Sequence, residues 1–233
     1  MTKISRRRQR RPKKPLSGTP ENGLCVLNFI KSRYRDACVI IPVLTSTVSA
    51  HTDISLRWLQ DKQRFSVPHG FWESFRKCGK SRFVVFPFGF TCQSNLGHAN
   101  YMVYDRKNRS LERFDPYGQS KRKCLNPSGL DDKIAKLFEK NLGQTTYYTP
   151  VDLYEKYGIQ QQQENEGISD SSDPNGGYCL AWSCWYVQLR LDNPDSDRTR
   201  LVSEAVKEVK KSGSLTEYIR GYSADIVDFC DRR

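Results

Sequence analysis

His98, Asp115 and Cys179 are the residues of this chain whose types and spacing could do chemistry. A carboxylate beside a histidine fixes the ring tautomer and stabilises the imidazolium, which suits a general base. A cysteine whose proton that base takes becomes a nucleophile able to attack a carbonyl. Cys184 and Cys78 are competing thiols, and His51 and His69 are the other histidines. Only His98 has a carboxylate placed beside it by a predicted hairpin.

The positioning argument begins with that hairpin, whose arms are residues 97–104 and 110–118, both rich in aromatic and β-branched side chains. With Arg106 and Lys107 as a two-residue loop, His98 lies directly opposite Asp115. A four-residue loop shifts the register by two and still leaves both side chains on one face, because side-chain direction along a strand has period two.

Cys179 follows Gly176-Gly177-Tyr178 and precedes the apolar run Leu180 to Leu189, which reads as a buried helix. At the first turn of that helix, unpaired N–H groups and the helix dipole favour a thiolate. Cys184 falls inside the helix, where packing is its expected role. Cys78, close to His69 and followed by Gly79, is a second and more distant nucleophile candidate.

The rest of the body supplies strands and helices to hold these residues. Residues 38–44 and 82–88 read as buried strands interrupted by Pro42 and Pro87, and residues 51–80 carry weak helical signals. Leu130, Ile134, Leu137 and Phe138 mark an amphipathic helix behind Pro127 and Ser128. Leu201, Val206 and Val209, then Leu215, Tyr218, Ile219, Tyr222 and Ile226, mark two more, the last with a capping box from Ser214 and Glu217.

The formal charge of +12 is unevenly spread: residues 1–20 hold eight Lys or Arg and no acid, leaving +4 on residues 21–233. Lys3, Arg6, Arg7, Arg8, Arg10, Arg11, Lys13 and Lys14 form a tail expected to be disordered in isolation and attractive to DNA, RNA or an import receptor. With its linker, Pro15 to Gly23, this tail makes up residues 1–23, ahead of one domain over residues 24–233. A hydrophobic fraction of 37% is enough for a filled core and excludes wholesale disorder. No apolar run approaches the length of a membrane span, and the Arg-rich start does not look like a secretory signal.

The eight cysteines show no Cys-x-x-Cys spacing, so no structural zinc site is expected. Free, mostly buried thiols in a reducing compartment are the expectation.

At these residues the chain resembles the cysteine peptidases that include SUMO-specific proteases and the adenovirus maturation protease, in a branch from large DNA viruses. The phrases carrying the likeness are His98-Ala99-Asn100, Glu112-Arg113-Phe114-Asp115-Pro116-Tyr117-Gly118 and Gly177-Tyr178-Cys179-Leu180-Ala181-Trp182-Ser183, within about residues 80–192. The resemblance implies an α+β papain-like or adenain-like fold, with a mixed or antiparallel sheet packed on a central helix that bears the nucleophile. It also implies a His98/Asp115/Cys179 triad and an oxyanion-hole glutamine shortly before the cysteine. Residues 170–178 contain no glutamine; the nearest candidates are Gln160, favoured because it ends a strand-like segment from Thr145, and Gln163.

The expected activity is thiol-dependent cleavage of a ubiquitin-like modifier conjugate or of a viral structural precursor, with no metal or organic cofactor. The expected location is the host cytoplasm or nucleus, or the virion. The rival from another class is a basic virion or nucleic-acid-binding protein with an inactive protease-like domain.

Overall fold

The computed structural model describes residues 16, 18–41, 55–91, 97–118, 129–155, 157–168, 170, 173, 174 and 177–232. The basic tail through Lys14, Pro42 to Leu44, His51, Cys92, Cys124 and Gly176 lie outside the described residues.

In chain order the elements are α1 (Pro20–Arg33), β1 (Cys38–Val39), β2 (Leu56–Leu59), β3 (Arg64–Ser66), α2 (Phe71–Lys77), β4 (Phe83–Thr91), β5 (Gly97–Asp105), β6 (Ser110–Phe114), α3 (Leu130–Leu142), β7 (Thr146–Tyr148), α4 (Pro150–Leu153), α5 (Ile159–Glu164), α6 (Cys179–Asp192), α7 (Arg198–Ser212) and α8 (Leu215–Asp231). The described strands make one mixed sheet ordered β3-β2-β4-β5-β6-β7, with β1 also pairing with β4. β4–β5 and β5–β6 are antiparallel, whereas β6–β7 and the pairs of β4 with β1 and β2 are parallel. The expected α+β architecture is therefore present.

Pro87 does not interrupt its strand. β1 pairs with Val84 and Val85 and β2 pairs from Phe88 onward, so Pro87 falls in the gap between those partners, where neither ladder is interrupted by its missing N–H.

Alternation along β4 and β5 sorts side chains into two cores. Phe83, Val85, Tyr101 and Val103 pack with α1, α6, α7 and α8; Val84, Phe86, Met102 and Tyr104 pack with α2 and α3. β6 is covered on both faces, and all five of its residues are buried, Glu112 and Arg113 included. Those two charges can stay in the interior only with partners.

Three local readings change. α1 begins at Pro20, within the stretch read as linker, with Thr19 as its N-cap, and Leu16 ahead of it is buried in the core. Residues 71–77 form a full helix, α2, whose Phe71 and Phe75 are buried. Four cysteines expected as free thiols are paired: Cys25 with Cys230, their Cα atoms 5.9 Å apart, and Cys38 with Cys78 at 5.6 Å. The first pair is 205 residues apart in sequence and meets because α1 packs on α8, a contact with no local signature. No helix among the described residues is long and apolar enough to cross a membrane.

Candidate active site

The β5–β6 turn has four residues, not two. Its rungs run from Asp105↔Ser110 to Tyr101↔Phe114. Asp105 shapes the turn by accepting from the Lys107 and Asn108 N–H groups, and Arg109 closes it with φ 47°. The register is thus shifted by two, His98 and Asp115 keep the same side, and they meet on a diagonal. Nε2 of His98 lies 2.9 Å from Oδ1 of Asp115, with both side chains buried. The pair sits beyond the last β5–β6 rung.

Asp115 is held from three sides. The Tyr117 N–H donates to Oδ1 at 2.9 Å, and Nη1 of Arg113 approaches Oδ2 at 3.5 Å. Arg113 is itself fixed by a two-pronged bond to Asp131 on α3 and by the Tyr147 hydroxyl. Burial pushes the Asp115 pKa up, but His98 and Arg113 outweigh it and hold the carboxyl below its ordinary range.

His98 is shifted the other way. Burial disfavours the imidazolium, yet Asp115 first and then a hydrogen bond to Cys179 raise its pKa to about 10. With Nε2 on Asp115, Nδ1 is the nitrogen left to face the thiol.

Cys179 is the first residue of α6 and half-buried, while Leu180 to Arg190 are all buried. The N-cap residue, Tyr178, makes no side-chain capping bond, and the N–H groups of the first turn of α6 lie at the Cys179 end of the helix. The approach to it is fixed by Gly177, whose φ is +85° and whose N–H donates to the Pro174 carbonyl. A second clamp holds Tyr178: its hydroxyl donates to Asp173, which also takes a two-pronged bond from Arg220 of α8.

Of the two candidate glutamines, Gln160 is the one packed against Gly177, two residues before Cys179. A Cβ placed on Gly177 would lie 2.0 Å from Nε2 of Gln160, so the bare backbone of Gly177 makes room for that amide. Gln163 turns away, its Nε2 3.4 Å from the Thr216 hydroxyl on α8. Gln160 lies on the short helix α5 and does not end a strand. α5 is docked by backbone contact: the Gly158 N–H donates to the Tyr117 carbonyl and the Gln160 N–H to that of Pro116. A side chain at Gly158 would sit 2.1 Å from the Pro116 carbonyl oxygen. The turn that follows Asp115 therefore also places Gln160.

Cys184 is buried within α6 and accepts a hydrogen bond from the Tyr222 hydroxyl, in keeping with a packing role. Cys78 is tied up in its disulfide, which removes it as a nucleophile candidate, and His69 is exposed before α2. Arg113, Tyr117, Glu164, Asp173 and Arg220 were given no role from sequence. Arg113 is accessible to period-two reasoning, since it shares a strand side with Asp115, and Tyr117 meets Asp115 through a local bond two residues on; Glu164, Asp173 and Arg220 reach the site only through tertiary docking. Among the described residues no group of three or more His, Cys, Asp or Glu could hold a metal ion.

The mixed sheet packed on a buried helix that opens with a cysteine is a fold this chain shares with a solved structure from Chlamydia trachomatis. ChlaDub1 from Chlamydia trachomatis superposes with a TM-score of 0.50 at 12% identity, covering 96% of this chain and 94% of that one. The SUMO protease Ulp1 gives a TM-score of 0.39 at 10% identity, covering 90% of this chain and 77% of its own. In sequence, a protein of Acanthamoeba polyphaga mimivirus described as an ankyrin repeat protein is 29% identical over 192 residues, 76% of this chain. The chain spans 24% of that relative's length. No family model matches the sequence.

Proposed function

We propose that this chain is a cysteine peptidase acting on amide bonds, with the C-terminal linkage of a ubiquitin-like modifier as its substrate. The observation that carries the reading is His98, hydrogen-bonded both to Asp115 and to Cys179 at the first turn of α6. In this mechanism His98 holds the Cys179 proton as an imidazolium, stabilised by Asp115, while the thiolate attacks the carbonyl carbon. The Cys179 backbone N–H and the Gln160 amide donate to the oxyanion. The imidazolium then protonates the leaving amine, and a water activated by the neutral ring releases the acyl group. No metal or organic cofactor enters any of these steps.

The modifier-conjugate reading draws support from the fold and from the sequence resemblance. A viral structural precursor is the competing substrate, and the mimivirus relative is in keeping with a viral branch. The location we propose is the host cytoplasm or nucleus, or the virion. The test is labelling of the full chain by ubiquitin and SUMO probes carrying a C-terminal thiol-reactive warhead. Parent protein and Cys184→Ala should form the adduct with one modifier and Cys179→Ala should not. Equal labelling of Cys179→Ala removes the nucleophile assignment. A Cys179 that iodoacetamide alkylates but neither modifier labels shifts the substrate to a viral precursor.

A further inference from the structure

Three polar groups close a ring beside Gly177. The Tyr117 hydroxyl donates to Oε1 of Glu164 at 2.7 Å, and Nε2 of Gln160 donates to the Tyr117 hydroxyl at 2.9 Å and to the same Glu164 oxygen at 3.1 Å. Both partners need a donor from Gln160: the phenol has already given its proton to Glu164, and the carboxylate only accepts. The amide is thereby oriented with Nε2 toward Gly177, although this leaves the buried Oε1 of Gln160 without a hydrogen-bond partner. An orphaned acceptor carries a cost, so the orientation is imposed by the two acceptors at the other end.

The two acceptors are not equivalent. Tyr117 is anchored: its N–H donates to Asp115, its ring centroid lies 5.5 Å from that of His98, and its carbonyl accepts from Gly158. Glu164 is the exposed last residue of α5 and can turn into water at small cost. Together they occupy both N–H groups of Gln160, so one must be released before the amide can donate to an oxyanion. A carboxylate left one hydrogen bond from that oxyanion would oppose its charge.

We propose that Tyr117 is the positioning residue of Gln160, linking it to the His98–Asp115 pair, and that Glu164 occupies the second amide N–H only until substrate arrives. This rests on the peptidase reading above. Tyr117 acts through Gln160 and need not touch substrate, so its loss should fall on oxyanion stabilisation and leave thiolate reactivity alone.

The experiment compares the full-length parent, Tyr117→Phe and Glu164→Ala by three measurements: turnover of a fluorogenic conjugate of the modifier that labels Cys179, inhibition by the C-terminal aldehyde of that modifier, and alkylation by iodoacetamide. The aldehyde adduct carries a tetrahedral oxygen in the oxyanion position; alkylation forms none. Tyr117→Phe keeps the ring against His98 and should lower kcat about tenfold, with KM within about twofold, weaken the aldehyde by the same factor and leave the alkylation rate unchanged. Glu164→Ala should raise kcat severalfold. The proposal is overturned if Tyr117→Phe keeps the parent kcat and aldehyde affinity, if alkylation slows in step with kcat, or if Glu164→Ala falls as far as Tyr117→Phe. A parent whose Cys179 is alkylated no faster than in His98→Ala sinks the peptidase reading itself and this proposal with it.

Discussion

At one end of α6 a charge pair is left open on one side, and at the other end a larger charge cluster is closed on every side. The closed cluster joins Asp105 of β5, Glu112 of β6 and Arg190 of α6, all fully buried. Arg190 donates to both carboxylates and to the Asn193 and Pro194 carbonyls, Tyr186 donates to Glu112 at 2.7 Å, and Arg82 and Arg198 complete the set. At the Cys179 end, Asp115 is equally well held, but the far side of the His98 ring meets a thiol on a half-buried residue at the first turn of the helix. β5, α6 and β6, with Asp115 directly after its last residue, build both ends. A closed network fixes the helix on the sheet, and an open one keeps a proton available, so burial of charge alone does not identify a reactive site.

The largest effects should come from opening the pair at the Cys179 end. Asp115→Asn should lower kcat by about three orders of magnitude or more, by analogy with the orienting carboxylate of serine triads, and His98→Ala should do at least as much. The pH dependence follows from the raised His98 pKa. Its folded value of about 10 exceeds the ordinary value of about 6.5, so the charged ring contributes stability fully below about pH 6.5 and loses it as pH rises through 10. The alkaline limb of the iodoacetamide alkylation profile should accordingly sit near 10 in the parent and move down in Asp115→Asn. An unmoved limb would mean that Asp115 does not hold the imidazolium.

At the closed end the expected effect is on stability. Arg190→Met leaves Glu112 and Asp105 with only part of their compensation and should destabilise the fold by about 3 kcal/mol, read by urea unfolding. Arg190 lies roughly 16 Å along the helix axis from Cys179, so turnover per folded molecule should stay within about twofold. A large loss of kcat in a folded Arg190→Met protein would break the contrast between the two ends.

The sequence was most legible where one period governs. Strand parity alone put His98 and Asp115 on one side, and so survived the change from a two-residue to a four-residue turn. α3, α7 and α8 repeat their apolar residues at helical spacing, and Leu130, Ile134, Leu201, Val206, Ile219 and Ile226 are buried as that spacing requires. α1 gave no such stripe, with Asn22, Gly23 and Asn28 among its apolar residues. The choice between Gln160 and Gln163 depended on where Gly158 docks, a contact between backbones that leaves no mark in local pattern. The disulfides were hidden for the same reason, since nothing local links Cys25 to Cys230.

The smallest expected effect on catalysis is from removing the tail, which makes it the sharpest check on how charge is divided between the appendage and the body. Residues 1–15 contain Lys3, Arg6, Arg7, Arg8, Arg10, Arg11, Lys13 and Lys14, and the cut spares both buried Leu16 and the start of α1. Because no triad residue precedes His98, hydrolysis of a small fluorogenic substrate should be unchanged. Binding of the full chain to duplex DNA, if all eight charges reach phosphate, should fall with salt on a log–log slope of up to about −7 through counterion release, and the truncated protein should keep only a shallow remnant. Strong activation of the full chain by DNA, lost on truncation, would favour a viral precursor as substrate, since nucleic acid would then regulate the peptidase. Unchanged DNA affinity after truncation would place the binding surface on the body and break the division of charge from which this prediction starts.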